Sequence, residues 1–357
     1  MGKKNVAKDI AAKEILAKGI VDNVNLNKES NSYAKENEYL LEVEDLRKWY
    51  PIKDGVFSKV SGNIKAVDGV SFKIYPGETF GIVGESGCGK STLGRTIIRS
   101  INSTSGKILF DGEDITKLNK KELKDVRRKM KFIFQDPYAS LNPRMTVKDI
   151  IAEPIDIENL YKTREERDAR IEEVMDMVGL NKKYMKRYPH EFSGGQRQRI
   201  GIARAIILEP KLIICDEPVS ALDVSVQAKI INLLKKLQND MKMAYIFISH
   251  DLSVVKHIAD KVAVMYLGKI VEISDKKDLY DNPRHPYTKA LFSAIPTTNG
   301  VNEDEMILEG DIPSPANPPS GCRFHTRCPR AEEVCSKEEP ELKLIKDGHL
   351  CACHFSS

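Results

Sequence analysis

Apolar positions in this chain fall into short blocks separated by turn residues. Leu40–Val43, Ile64–Val67, Val70–Ile74 and Lys107–Phe110 alternate or cluster apolar side chains between turn pairs such as Pro76-Gly77 and Asp111-Gly112, which predicts strands. Phe80–Val83 predicts a buried strand, followed at once by a glycine-rich loop. From about Leu141 to Tyr188 the period lengthens. Val147–Ile151 and Arg164–Val178 carry charge on one side and Ile, Val or Met on the other, which predicts helices. After Ser193 come a helix (Gln196–Leu208), a strand (Leu212–Cys215), a helix (Val224–Asp240) and a strand (Ala244–Ser249). That alternation predicts an α/β fold with a parallel, doubly wound sheet. Residues up to about Glu38 are polar and predict a loosely ordered extension, with room for one short helix around Asp9–Ala17. Past Asp275, Pro283, Pro286, Pro296, Pro313, Pro315, Pro318 and Pro319 mark an appended region of irregular backbone.

Composition narrows the class without changing this picture. A chain of 357 residues can hold two or three units with real cores. Hydrophobic content of 41% and charged content of 30% are those of a soluble globular protein, and a net charge of +4 predicts a mixed-charge surface rather than a nucleic-acid binder. No apolar run approaches the ~20 residues of a membrane helix. The lysine-rich start, MGKKNVAKDIAAKEILAKG, lacks the apolar stretch of a secretory signal. The expectation is a reducing compartment, where structural disulfides are not expected.

The loop after Phe80–Val83 carries the first chemistry. Gly84, Glu85, Ser86, Gly87, Cys88, Gly89, Lys90 and Ser91, followed by Thr92, fit G-x-x-x-x-G-K-S/T between a strand and a helix-forming run, Thr92–Ile98. Glycines let backbone N–H groups curl around phosphate oxygens, and the helix N-terminus adds partial positive charge. Lys90 can reach the β- and γ-phosphates of a nucleotide, and the Ser91 hydroxyl can ligate Mg²⁺. The apolar run Leu212–Cys215 ends in Asp216 and Glu217. Adjacent carboxylates can divide the work, Asp216 holding Mg²⁺ through water and Glu217 polarising the attacking water.

Between these elements Phe192-Ser-Gly-Gly-Gln196 resembles the LSGGQ signature of ATP-binding cassette (ABC) ATPases, with Phe in the Leu place. Other cassette motifs follow in order. Gln135 resembles the Q-loop glutamine, Ser220-Ala-Leu-Asp223 the D-loop, His250 the switch histidine, and Tyr50 the aromatic residue that stacks on adenine. The resemblance spans about Tyr39 to Ile273. It implies that the helix N-terminus at Ser193, Gly195 and Gln196 binds a phosphate of ATP held on a partner subunit. It also implies that His250 contacts the γ-phosphate, and that Gln135 senses Mg²⁺ and signals to a membrane subunit. Cys88 and Cys215 are read as small packing residues.

Gly84–Arg95, Gln135–Pro143 and Asn282–Thr288 narrow the resemblance to the F-type ATPase subunit of oligopeptide and dipeptide importers. That implies a D-type ATPase as heterodimer partner, two transmembrane permeases and an external peptide-binding protein, with this chain peripheral on the cytoplasmic face of the membrane. The expected fold is a P-loop ABC ATPase core with an antiparallel β subdomain, a helical subdomain and a C-terminal cysteine-rich extension. The expected division is 1–38 as N-terminal extension, 39–274 as ATPase with the helical part at about 136–195, and 275–357 as extension. Importers of nickel, glutathione or sugars use the same ATPase type, and the cassette does not touch cargo. DNA-repair ABC ATPases also carry cysteine metal sites. They have long insertions in the cassette, where this chain has only a helical insert between Gln135 and Ser193 and no basic stripe.

Five of the seven cysteines lie in the tail. Cys322, Cys328 and Cys335 are spaced C-x5-C-x6-C, and Cys353 follows after seventeen residues. Four thiolates suit either zinc or an iron–sulfur cluster. The spacing lacks the two short knuckles usual for structural zinc. The resemblance implies a 4Fe–4S cluster on Cys322, Cys328, Cys335 and Cys353, with Zn²⁺ the alternative and Cys351 a spare ligand.

Overall fold

The computed structural model describes residues 39–54, 59–293 and 310–356. The N-terminal extension, its short helix around Asp9–Ala17, and Pro296 lie outside the described residues.

In chain order the strands and helices begin with β1 (Leu41–Asp54), β2 (Lys59–Ile74), β3 (Thr79–Val83), α1 (Lys90–Ile97), β4 (Ser105–Phe110), β5 (Glu113–Asp114), α2 (Leu123–Lys129) and β6 (Met130–Ile133). The middle holds α3 (Val147–Ile157), α4 (Arg164–Met177), α5 (Gly194–Ile206), β7 (Leu212–Asp216), α6 (Val224–Met241), β8 (Ala244–Ile248) and α7 (Leu252–Ile258). Then follow β9 (Lys261–Tyr266), β10 (Lys269–Asp275), α8 (Lys276–Asp281), α9 (Pro286–Ser293), α10 (Glu333–Lys337), β11 (Lys343–Lys346) and β12 (His349–Cys351).

One sheet, ordered β2-β1-β4-β5, is antiparallel throughout. The blocks Ile64–Val67 and Val70–Ile74, read as separate strand segments, are one strand. The register slips where Leu46 faces Val70 but Arg47 faces Asp68, leaving Gly69 as a bulge at φ +81°. A left-handed glycine absorbs the extra residue without breaking the ladder.

The second sheet is ordered β11-β12-β10-β9-β3-β8-β7-β6. From β9 to β6 the strands are parallel, as the alternation predicts. At the other edge the sheet turns antiparallel, which corrects the expectation of a wholly parallel sheet. β10 returns beside β9 through the tight Leu267-Gly268 connection, which is too short for the crossover that parallel strands need. The tail then adds β12 and β11, with Glu272 facing Cys351 and Ile273 facing Leu350. The cysteine-rich tail therefore completes the cassette's own sheet.

Both faces of the central strands are covered. Along β8, Tyr245 and Phe247 enter a core shared with Ile200, Ile230 and Leu234 of the helices. Ala244, Ile246 and Ile248 enter another core, with Leu41, Phe72 and Leu93 beneath the antiparallel sheet. Burial on both faces explains why these strands read as unbroken apolar runs. Among the described residues no helix is long and apolar enough to cross a membrane.

Candidate nucleotide site

The phosphate loop runs from the end of β3 to the first residue of α1. At Gly89 φ is +108°, and a Cβ would collide with the Ala66 carbonyl oxygen. Only glycine lets the loop turn so tightly over β2. Lys90 is buried, and its Nζ donates to the carbonyls of Gly84 at 2.7 Å and Glu85 at 2.9 Å. The ammonium thus lies inside the curl that its own loop makes. Ser86 and Gly87 form the exposed crown, and Thr92 lies half-buried in the first turn of α1. Cys88 is buried beneath the crown with its Sγ 3.7 Å from Lys90 Nζ, and burial pushes its thiol pKa up. Cys215 is fully buried in β7. Both suit packing roles.

Ser91 Oγ donates to Asp216 Oδ1 at 2.7 Å. Asp216 Oδ2 is buried without a hydrogen-bond partner, and the nearest cation, Arg95, stands 4.0 Å away. Burial raises the pKa of Asp216, a strain that a nearby cation relieves. An orphaned carboxylate oxygen beside a hydroxyl fits a hydrated Mg²⁺, which takes few protein ligands and keeps its waters.

Glu217 follows in a left-handed turn at φ +46°, its N–H donating to the Ile248 carbonyl at 2.9 Å. Its Oε2 accepts from Gln135 Nε2 at 2.8 Å, and its Oε1 lies 3.0 Å from His250 Nδ1. Gln135 and His250, from the loops after β6 and β8, converge on the carboxylate that follows β7. The parallel order of these strands brings their carboxyl ends to one edge, where ligands of open α/β sheets bind.

Tyr50 stands exposed on β1 with Lys48 Nζ 4.7 Å from its ring centre, leaving an aromatic face for a base. Ser193 caps α5 in a reciprocal box. Its N–H donates to Gln196 Oε1 at 3.1 Å, and its hydroxyl accepts from Gln196 N at 3.4 Å. The helix therefore starts at Gly194, two residues earlier than expected. Gly195 lies so close to Val226 that a side chain there would collide with it. Ser193 and Gln196 bond to each other within this turn.

Cys322, Cys328, Cys335 and Cys353 line one cavity of about 20 Å³, with Phe324 and His354 also in its wall. Burial lifts the Cys322 thiol to about 11, and the neighbouring Cys335, Cys328 and Cys353 add to that rise. Cys351 does not line this cavity. It sits on β12, paired with Glu272 of β10. All seven cysteines are free thiols. Among the described residues no group of three or more His, Cys, Asp or Glu is already drawn together as a metal-ligand set.

Sequence reasoning missed three side chains that reach this site across the chain. Arg327 pairs with Glu85 of the phosphate loop, the Tyr287 hydroxyl accepts the Glu85 N–H, and Asp68 accepts from Trp49, the neighbour of Tyr50. Tyr287 lies inside the Asn282–Thr288 stretch, which gave no contact for it, and no local pattern pairs Arg327 or Asp68 with their partners.

Comparison with known proteins agrees with this geometry. Residues 67–220 match the ABC transporter family model, and residues 271–335 match the oligopeptide/dipeptide transporter C-terminal region. The dimeric post-hydrolysis structure of the ATP-binding cassette MJ0796 bound to ADP and Pi superposes with a TM-score of 0.59 at 29% identity, covering 66% of this chain and 98% of that one. The structure of cbiO1 from Clostridium perfringens gives 0.60 at 28% identity, covering 69% and 92%. The chain belongs to the ABC transporter family of ATPases. The oligopeptide transport ATP-binding protein AppF of Bacillus subtilis is 56% identical over 91% of this chain and 99% of its own length. OppF of Escherichia coli is 52% identical over 88% of this chain and 95% of its own length. Within the family, the chain falls in the oligopeptide and dipeptide transport ATP-binding branch.

Proposed function

We propose that this chain is the F-type ATPase of an oligopeptide or dipeptide importer, working as half of a heterodimer with a D-type ATPase beneath two permeases and an external binding protein. The observation that carries the mechanism is the Glu217 carboxylate held between Gln135 and His250 beside the Ser91–Asp216 pair. In this reading Lys90 and the amides from Ser86 to Thr92 hold the phosphates, Tyr50 stacks on adenine, and Ser91, Gln135 and Asp216 hold Mg²⁺. Glu217 takes a proton from the attacking water, and His250 steadies the γ-phosphate. Ser193, Gly195 and Gln196 serve the nucleotide of the partner subunit. Two ATPase sites on the cytoplasmic face would drive the pore, and a groove beside Gln135, lined by Phe132, Phe134, Glu153 and Arg204, offers the permeases an apolar and charged seat.

The decisive experiment reconstitutes the chain with its co-encoded permeases and second ATPase in vesicles. Oligopeptides presented with the binding protein should stimulate ATP hydrolysis. Stimulation by nickel, glutathione or a sugar instead would move the cargo elsewhere, and DNA-dependent hydrolysis would overturn the transport reading.

We also propose that Cys322, Cys328, Cys335 and Cys353 hold a 4Fe–4S cluster, with zinc the competing occupant. Support comes from the donor set, four thiols lining one cavity within a chain segment that has little other core. Once bound, the group would cross-link the tail. Anaerobically purified protein should carry about four irons, whereas colourless protein with one zinc would refute the cluster.

A further inference from the structure

The phosphate loop contains a carboxylate, Glu85, where the ligand is a polyanion. An unopposed negative charge there would repel phosphate, so the structure must answer it. It does so from the far end of the chain. Arg327 Nη1 donates to Glu85 Oε2 at 2.9 Å and Nη2 to Oε1 at 3.2 Å, a two-pronged pair. The Arg327 side chain is almost wholly buried, lying against Tyr266 with its Nη1 3.5 Å from the phenol oxygen. The Glu85 N–H meanwhile donates to the hydroxyl of Tyr287 at 2.9 Å. Backbone and side chain of one loop residue are therefore both held by elements beyond β10.

The same tail segment makes a second tie. Arg323 donates to the Leu267 carbonyl and to Asp68, which also accepts Trp49 Nε1 at 3.0 Å. Trp49 precedes Tyr50, the aromatic face offered to adenine. Further along, the Lys65 N–H on β2 donates to the Pro315 carbonyl at 3.1 Å. Arg323 and Arg327 both lie between Cys322 and Cys328. One short segment thus braces the phosphate loop with one arginine and the strand of Tyr50 with the other.

We propose that Arg327 is a positioning residue for ATP, neutralising Glu85 and fixing the phosphate loop from the C-terminal tail. The proposal rests on the reading of Gly84–Thr92 as the nucleotide site. It requires nothing of the cysteine cavity beyond the fold of the segment. Arg327 touches no substrate; it acts through Glu85.

The full chain is titrated with fluorescent ATP and ADP analogues, comparing wild type with Arg327→Gln, Arg327→Lys, Glu85→Gln, the Arg327→Gln/Glu85→Gln pair and Lys90→Ala. Arg327→Gln should weaken ATP about tenfold and ADP less, because the exposed carboxylate repels the more highly charged nucleotide more. Arg327→Lys keeps the charge and should hold affinity within about threefold. Adding Glu85→Gln to Arg327→Gln removes the charge left behind and should recover most of the loss. In the assembled importer Arg327→Gln alone should raise KM for ATP while leaving kcat within about twofold. Wild-type affinity in Arg327→Gln overturns the proposal. So does an equal loss for ATP and ADP that Glu85→Gln fails to repair, since that marks a fold defect. If Lys90→Ala also binds normally, it is the reading of the loop as nucleotide site that fails.

Discussion

Replacing Phe324 by Ala tests how firmly the tail is attached. Phe324 is 1% exposed and stands edge-on to Tyr266 at 5.3 Å and 88°, with Tyr287 at 5.4 Å and His285 at 5.8 Å. Tyr266 belongs to β9 and Tyr287 to α9, so this ring is the apolar peg between tail and cassette. Removing a buried Phe costs about 3–5 kcal/mol, and its aromatic partners account for roughly 0.5–1.5 kcal/mol of that for each well-placed pair. Other attachments are the Arg323–Asp68 and Arg327–Glu85 pairs, the short β10–β12 ladder, and Leu350, which enters the core beneath the antiparallel sheet. The loss should therefore appear as undocking of the tail rather than collapse of the central sheet. Amides in β11 and β12 should exchange roughly 10² to 10³ times faster, the factor that 3–4 kcal/mol represents at 1.36 kcal/mol per decade. Those of β8 should keep their protection. Hydrogen exchange read by mass spectrometry on the full chain makes the measurement. Protection of Leu344 and Leu350 within about threefold of wild type would refute the view that this ring pins the tail.

Glu217→Gln preserves the contacts with Gln135 and His250, since an amide can accept from one and donate to the other. It should cut phosphate release about 10²–10⁴-fold while nucleotide stays bound, and hydrolysis near the wild-type rate would remove Glu217 as base. Lys90→Ala should weaken nucleotide binding to the isolated chain, and Ser193→Ala should spare that binding yet slow hydrolysis in the assembled pair. Equilibrium titration beside a phosphate-release assay separates the two. His349 is buried, which alone would lower its pKa, but its hydrogen bonds to Glu272 at 2.7 Å and Asp278 at 2.8 Å raise it above the ordinary value. Its stabilisation is full below the unfolded value of about 6.5 and is lost as pH rises through the higher folded value. Melting temperature should fall from about pH 6 to pH 9 more steeply in wild type than in His349→Gln, and parallel curves would contradict the sign.

The parts of the site that the sequence made legible are those whose chemistry is local. Lys90 and Ser91 follow their glycines directly, and Asp216 and Glu217 end an apolar run, so strand, loop and helix could be placed together. Ser193 was legible twice, as signature and as helix cap. What stayed hidden depended on distance along the chain. β12 is three residues long and carries His349 and Cys351, so nothing marks it as a strand until β10 lies beside it. β9 and β10 are joined by two residues, and the expected alternation of strands with helices passed over them. Gly69 breaks the apolar pattern between Val67 and Val70, so one bulged strand read as two blocks. Arg327 lies 242 positions from Glu85, and no local pattern announces such a pair.

The placement of β12 at the edge of the cassette sheet bears on how the protein is made. Synthesis runs from the N-terminus, and domains begin to fold as they emerge. β3, β7 and β8 can assemble while the last residues are still being added, but β10 then presents an open edge, a template for pairing with another chain. Only when His349–Cys351 arrives is that edge covered. A chain stopped before His349 would keep every residue of the phosphate loop and still leave the ribosome with that edge bare.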